Sequence, residues 1–160
     1  MDSPRITALI AAAALLPLAA ARAAAAGSLA GPDACAVLTA AQVSAVLGVR
    51  VAPGQHILPD AHSSCGWALP GDPSLGAKRL VLTLMSVRAF DTGKTPVKGA
   101  SKVAAQAVGE EAYYITTPPF GTALSVKQGR SYFQVRISGF PDAKAAHLEK
   151  AVALKLLKGG

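Results

Sequence analysis

Cys35 and Cys65 are the residues of this 160-residue chain best placed to do chemistry. Their number is even, and a bond between them would close about thirty residues, contributing about 3–4 kcal/mol in the chain-entropy account. A redox pair would instead favour two cysteines one helical turn apart near a helix start. The thirty-residue spacing therefore points to a structural disulfide between a short N-terminal helix and the segment that carries Trp67. His56, Asp60 and His62 could offer nitrogen and oxygen ligands to zinc or copper from one loop, but their spacing fits no established motif. They read as an ordinary polar loop. His147 falls on a helix and should face solvent. No metal and no other cofactor is expected.

Nucleophilic catalysis needs a base positioned beside Ser or Cys. Ser63, Ser64 and Cys65 follow His62 directly, and adjacent residues rarely face each other productively. No G-x-S-x-G elbow occurs. Glu110 and Glu111 are neighbours on what should be an extended segment, so they point to opposite faces and cannot flank one glycosidic bond. With no glycine-rich phosphate loop either, a non-enzyme is expected. The binding surface with the most chemistry is one face of a hairpin, where Lys127, Arg130 and Arg136 surround Tyr132 and Gln134. Such a face could grip phosphate or carboxylate groups; the plainer reading is the solvated side of a sheet.

The first residues are an address rather than a fold. Arg5 precedes an apolar stretch over 6–20, and an alanine-rich run over 19–26 offers small residues at both positions that signal peptidase reads. The stretch is too short for a membrane anchor, with Pro17 inside it and Arg22 closing it. Residues 1–26 read as a cleaved signal peptide, 27–32 as a flexible leader, and 33–160 as one domain. The lipoprotein pattern is absent before Cys35, and no twin-arginine pair is present. The expected product is exported, periplasmic or fully secreted, without a transmembrane anchor. Sixteen Lys and Arg against nine Asp and Glu give +7, and removal of Arg5, Arg22 and Asp2 leaves +6. An exported basic domain seldom meets nucleic acid, so an anionic envelope component or another exported protein is the expected partner. The bland alternative is that the charge serves solubility. Charged residues make up only 16% of the chain and hydrophobic ones 51%, which excludes a disordered polyelectrolyte.

Thr39 and Gln42 have capping-box spacing, Leu38 and Val43 that of a hydrophobic staple, and Gly48 supplies a left-handed stop. A short helix with Val43, Val46 and Leu47 on one face is expected between them. Residues 49–51 suggest a brief strand and 52–63 a loop. In 64–69, Cys65, Trp67 and Leu69 alternate to one side, and a Pro-Gly-Asp-Pro turn follows over 70–73. Residues 78–88 read as a strand apolar on both faces, hence a central one. Residues 90–109 show no clean period beyond a short helical turn. Strands are expected over 112–116, 122–127 and 130–138. The last two would be joined by a two-residue turn at Gln128 and Gly129 that pairs 127 with 130 and 124 with 133. That register puts Leu124, Val126, Phe133, Val135 and Ile137 on one face. From Asp142 to about Leu157 a helix should pack by Ala145, Leu148, Val152 and Leu156. The sum is an α+β fold, a mainly antiparallel sheet flanked by an N-terminal short helix and a C-terminal helix, with one disulfide.

Asp33, Cys35, Leu38, Thr39, Gln42 and Val43, followed by Cys65-Gly66-Trp67 and then Gly109 to Tyr113, carry a resemblance. The chain is similar to a group of small exported bacterial proteins and lipoproteins of unknown function. These typically read D-x-C-x-L-L-T-x-x-E-V, then C-x-W, then a G-D-E-A-Y-like segment and a terminal helix. Gln42 and Glu110 depart from that pattern, as does the missing lipobox. The resemblance implies a paired-cysteine α+β domain akin to the fold of PsbP-like proteins, and it implies no catalytic residues. The expected function is an exported non-enzymatic binding or interaction domain of the cell envelope, for an anionic ligand or partner. Its rivals are a small periplasmic hydrolase or metal-dependent enzyme using the 56–65 loop, and an inhibitor of another exported protein. Oligomeric state is not legible in the sequence.

Overall fold

The computed structural model describes residues 33–71, 77–95 and 97–159; the signal and leader assigned to 1–26 and 27–32 lie outside the described residues. The chain enters through a 3-10 turn, Ala34–Ala36, where the Asp33 carboxylate accepts from Cys35 N at 2.8 Å. Helix α1, Ala40–Leu47, then forms as its caps require. Thr39 Oγ1 accepts from Gln42 N, Gln42 Oε1 accepts from Thr39 N, and Gly48 closes the helix at φ 68°. Leu38 and Val43 are both buried, as the staple demands. The brief strand expected at 49–51 does not form. Val51 N donates to Ser44 Oγ of α1 instead, so the chain is held against the helix before it reaches the sheet.

Among the described residues, seven strands make one antiparallel sheet: β1 Gln55–His56, β2 Ser64–Ala68, β3 Arg79–Leu84, β4 Ser101–Ala104, β5 Glu111–Thr117, β6 Gly121–Gln128 and β7 Ser131–Ser138. Their spatial order is β1-β2-β3-β7-β6-β5-β4, all neighbours antiparallel, with β7 at the centre. The strand expected over 78–88 stops at Leu84. Ser86 Oγ accepts from Ala89 N at 3.1 Å and caps α2, Val87–Lys94, which begins where the strand was to continue. The expected loop over 90–109 therefore holds most of α2 and the edge strand β4. Three of the four residues of β4 are exposed, so it carries no buried period to read.

The hairpin pairs Leu124 with Val135 and Gln128 with Ser131. Its turn is Gly129 and Arg130 rather than Gln128 and Gly129, a shift of two in register. Gly129, at φ 57°, takes the first central position, where type II′ turns require a positive φ. Because the side-chain period is two, the shift leaves every residue on its expected face.

One face of the sheet carries the core. Cys65, Trp67, Leu80, Leu82, Leu124, Val126, Phe133 and Val135 are fully buried there, beneath α1 and α3 (Asp142–Leu157). Helix α3 contributes Ala145, Val152, Ala153 and Leu156, with Leu148 half-buried. The Cys35–Cys65 disulfide, with Cα atoms 5.0 Å apart, ties the N-terminal turn to β2. Gly54 lies against this bond. A Cβ there would stand 2.9 Å from Cys65 Sγ and 2.8 Å from Trp67 Nε1. Gly54→Ala should therefore destabilise the domain by about 1–3 kcal/mol through overpacking, read as a lowered thermal midpoint.

Glu149 of α3 is fully buried among these apolar groups. The β6–β7 ladder runs only as far as Leu124 and Val135, and beyond it Ile137 N donates to Glu149 Oε1 at 3.0 Å. Thr122 Oγ1 lies 3.2 and 3.1 Å from the two carboxylate oxygens. The side chain thus serves a backbone donor that the ladder leaves open. Burial pushes its carboxyl up to about 7, against the opposing pull of these hydrogen bonds.

Candidate functional site

The opposite face of the sheet carries polar side chains and is partly covered by α2. Adjacent tyrosines on β5 fix a helix to each side, as alternation along a strand requires. Tyr114 Oη donates to Ala146 O of α3 at 3.1 Å, and Tyr113 Oη donates to Phe90 O of α2 at 2.8 Å. Phe90 is fully buried between Tyr113 and Tyr132, with ring centroids 5.1 and 5.4 Å away. Phe90 and the Tyr113 hydrogen bond thus help hold α2 over part of the second face.

Between α2 and the β4–β5 edge lies a cleft of about 710 Å³. Its wall is apolar at Ala89, Val97 and Ile115, with Ser86, Thr92 and Thr95 supplying hydroxyls and Arg88 and Lys102 the charge. Lys102 is partly committed, since its ammonium donates to Gly93 O and Thr95 O and so satisfies carbonyls that the end of α2 leaves open. Arg88 is exposed, and among the described residues it has no acidic partner. Lys94, on the same helix, is taken: Asp91 and Glu111 each lie 2.9 Å from its ammonium and hold it above the usual lysine range. The described lining holds hydroxyls and two cationic side chains, and no carboxylate, imidazole or thiol.

The five residues of the hairpin face do not line this cleft, and the structure gives most of them partners. Tyr132 packs on Phe90, Gln134 Nε2 donates to Ser125 Oγ at 3.0 Å, and Arg136 Nη1 donates to Phe120 O at 3.3 Å. Lys127 stands directly across the ladder from Glu111. Arg130 is exposed in the turn. Gln134 and Ser125 belong to a polar row crossing five strands in register, Ser64, Thr83, Gln134, Ser125 and Tyr113, in which Ser64 Oγ and Thr83 Oγ1 are also hydrogen-bonded at 3.0 Å. The cleft is not legible in the sequence pattern, where the five hairpin residues read only as the polar face of a hairpin. The signal for α2 was there in Ser86, three residues ahead of Ala89, which is an N-cap hidden inside an apolar alternation.

At the other end of the sheet the loop histidines come together, though not with the carboxylate the loop itself carries. His56 Nε2 is 2.9 Å from Asp33 Oδ1, and the His56 and His62 rings meet edge to face at 4.6 Å. The His56 imidazole and the Cys35 N–H together draw the Asp33 carboxyl below its usual range. Asp60 is exposed and outside this group; Asp33, from the far side of the disulfide, takes its place. His147 is exposed on α3, and Glu110 is exposed with its N–H donated to Lys127 O. No helix among the described residues is long and apolar enough to cross a membrane. Compared with models of protein families, with curated proteins and with solved structures, the chain finds no match.

Proposed function

We propose that the protein is an exported, non-enzymatic binding domain of the cell envelope whose ligand is an anion with an apolar body, held in the cleft between α2 and β4–β5. The observation that carries this reading is the meeting, in one preformed cleft of about 710 Å³, of an apolar wall and an Arg88 that has no acidic partner among the described residues. That volume is in the usual range for small-molecule sites, which are mostly apolar with a few oriented polar groups. The guanidinium would take a carboxylate, phosphate or sulfonate in a bidentate grip, and Ile115 and Val97 would cover the apolar part. Export is supported by the disulfide, which persists in oxidising compartments, and by the address-like first residues. A basic surface would favour the approach of an anion.

The test uses 8-anilinonaphthalene-1-sulfonate, an aromatic sulfonate whose fluorescence rises on entering an apolar site. The folded wild type should bind it saturably, Arg88→Glu should weaken binding by about ten-fold or more, and Ala89→Trp should abolish it by filling the cleft. Both positions are exposed, so the thermal midpoints should hold. Equal binding by the wild type and both variants would overturn the assignment.

A further inference from the structure

The group at the foot of the disulfide has a second chemistry, independent of the cleft. Asp33, His56 and His62 each present one ligand atom, and these atoms all lie within 4.8 Å of one another. We infer that they form a binding site for a borderline divalent transition metal, Zn²⁺ or Cu²⁺, with two imidazole nitrogens, one carboxylate oxygen and an open fourth position.

Three features carry the inference. The first is ligand type: two imidazoles and a carboxylate are a donor set that suits zinc and copper and is poorly matched to calcium or magnesium, which take oxygen. The second is distance. Ligand atoms bound at about 2.0–2.2 Å in a tetrahedral array stand about 3.4 Å apart. The His56–Asp33 separation of 2.9 Å must open slightly and the largest separation must close by about 1.4 Å, within reach of rotation of the exposed His62 side chain.

The third is backbone support from both sides of the site. Ala34 N donates to His62 O at 2.7 Å, which locks the turn that follows Asp33 to the loop carrying His62. His56 pairs with Cys65 across the β1–β2 ladder, and Cys65 is bonded to Cys35, two residues from Asp33. The three ligands thus come from three separate segments held by a ladder, a backbone hydrogen bond and a disulfide. Asp33 Oδ1, the oxygen that faces His56 Nε2, is further oriented by Cys35 N at 2.8 Å. Sequence spacing suggested the two histidines with Asp60. The folded chain supplies the third ligand from a position twenty-three residues before His56.

The test is calorimetric titration of the untagged, oxidised protein with ZnCl₂ and, separately, CuCl₂. One equivalent should bind. His62→Ala should weaken binding by about ten-fold or more, as should His56→Ala, while His147→Ala should bind as the wild type does. Since His62 is exposed, its variant should keep the wild-type melt without metal, and Zn²⁺ should raise the melting temperature of the wild type but not of that variant. Binding by His62→Ala at wild-type strength, no binding by the wild type, or loss in His147→Ala alone would each overturn the site. Because Arg88→Glu leaves these residues untouched, its metal titration should match the wild type, so failure of the cleft and failure of this site are told apart.

Discussion

Removing the Cys35–Cys65 bond is expected to cost about 3–4 kcal/mol. The bond spans thirty residues, and within that loop lie α1, β1 and the start of β2. Cutting it returns that whole stretch to a freer unfolded chain and releases the N-terminal turn from the core. Cys65 is fully buried, so Ala is the better replacement there and Ser at half-buried Cys35. Trp67, the chain's only tryptophan, lies fully buried two residues from Cys65 and on its face of β2, which makes its fluorescence a direct reporter. In urea, the Cys35→Ser/Cys65→Ala variant should unfold at a midpoint lower by on the order of 1–3 M, for an ordinary slope. A midpoint within about 0.3 M of the wild type would mean that packing alone seats the N-terminal turn.

The second large effect is set by pH and belongs to Glu149. Its folded-state carboxyl is raised from 4.5 to about 7, so between those values the folded chain holds more protons than the unfolded one. Stability from this group is then complete below about 4.5 and declines as pH rises, and it is lost once pH passes 7. The total is about 3 kcal/mol. Arg136 pulls the carboxyl down and Asp142 pushes it up, while desolvation decides the direction. Glu149→Gln keeps an acceptor for Ile137 N and a partner for Thr122 but cannot ionise. Its unfolding free energy should therefore lack most of the decline from pH 4.5 to 7 that the wild type shows. Asp33 works the other way: its lowered carboxyl favours the fold above the unfolded value and loses that contribution as pH falls. Both proteins share Asp33, so the difference between the wild type and the Glu149→Gln variant isolates the buried group. Glu149→Ala, which likewise cannot ionise, should lose about 2–4 kcal/mol below pH 4.5, by stranding the Ile137 N–H and opening a cavity, and its deficit against the wild type should shrink as pH rises to 7. Wild-type stability that is flat across this window would contradict the account.

What was legible in the sequence was what local chemistry dictates. The capping box at Thr39 and Gln42, the left-handed Gly48, the disulfide and the helix from Asp142 to Leu157 all follow from short-range patterns, and each is in the structure. The β6–β7 faces survived a two-residue error in register because alternation has a period of two. The misses share a cause as well. Val87 continues the apolar alternation of β3, and only the Ser86 side chain turns the backbone into α2. Strand β4 has no buried face to betray it, because Val103 is 64% exposed at the sheet edge. Glu149 reads as one more polar helix residue, and its burial depends on a gap in a ladder formed by residues far off in sequence. For the polar hairpin face the limit was the same. Gln134 meets Ser125 within the hairpin, but Tyr132 and Arg136 meet Phe90 and Phe120, which come from elsewhere along the chain. The Asp33–His56–His62 group is assembled across a disulfide, a juxtaposition no spacing rule anticipates.

The central claim is that the α2 cleft holds an anionic ligand, and native mass spectrometry tests it most directly. The protein would be purified without reducing agent from the cells that make it, as wild type and as Ala89→Trp. The wild-type ion should be oxidised at Cys35 and Cys65 and carry an added mass released on denaturation. The Ala89→Trp ion should be equally folded and oxidised, without that mass. A bare wild-type ion, or the same added mass on both proteins, would contradict the claim.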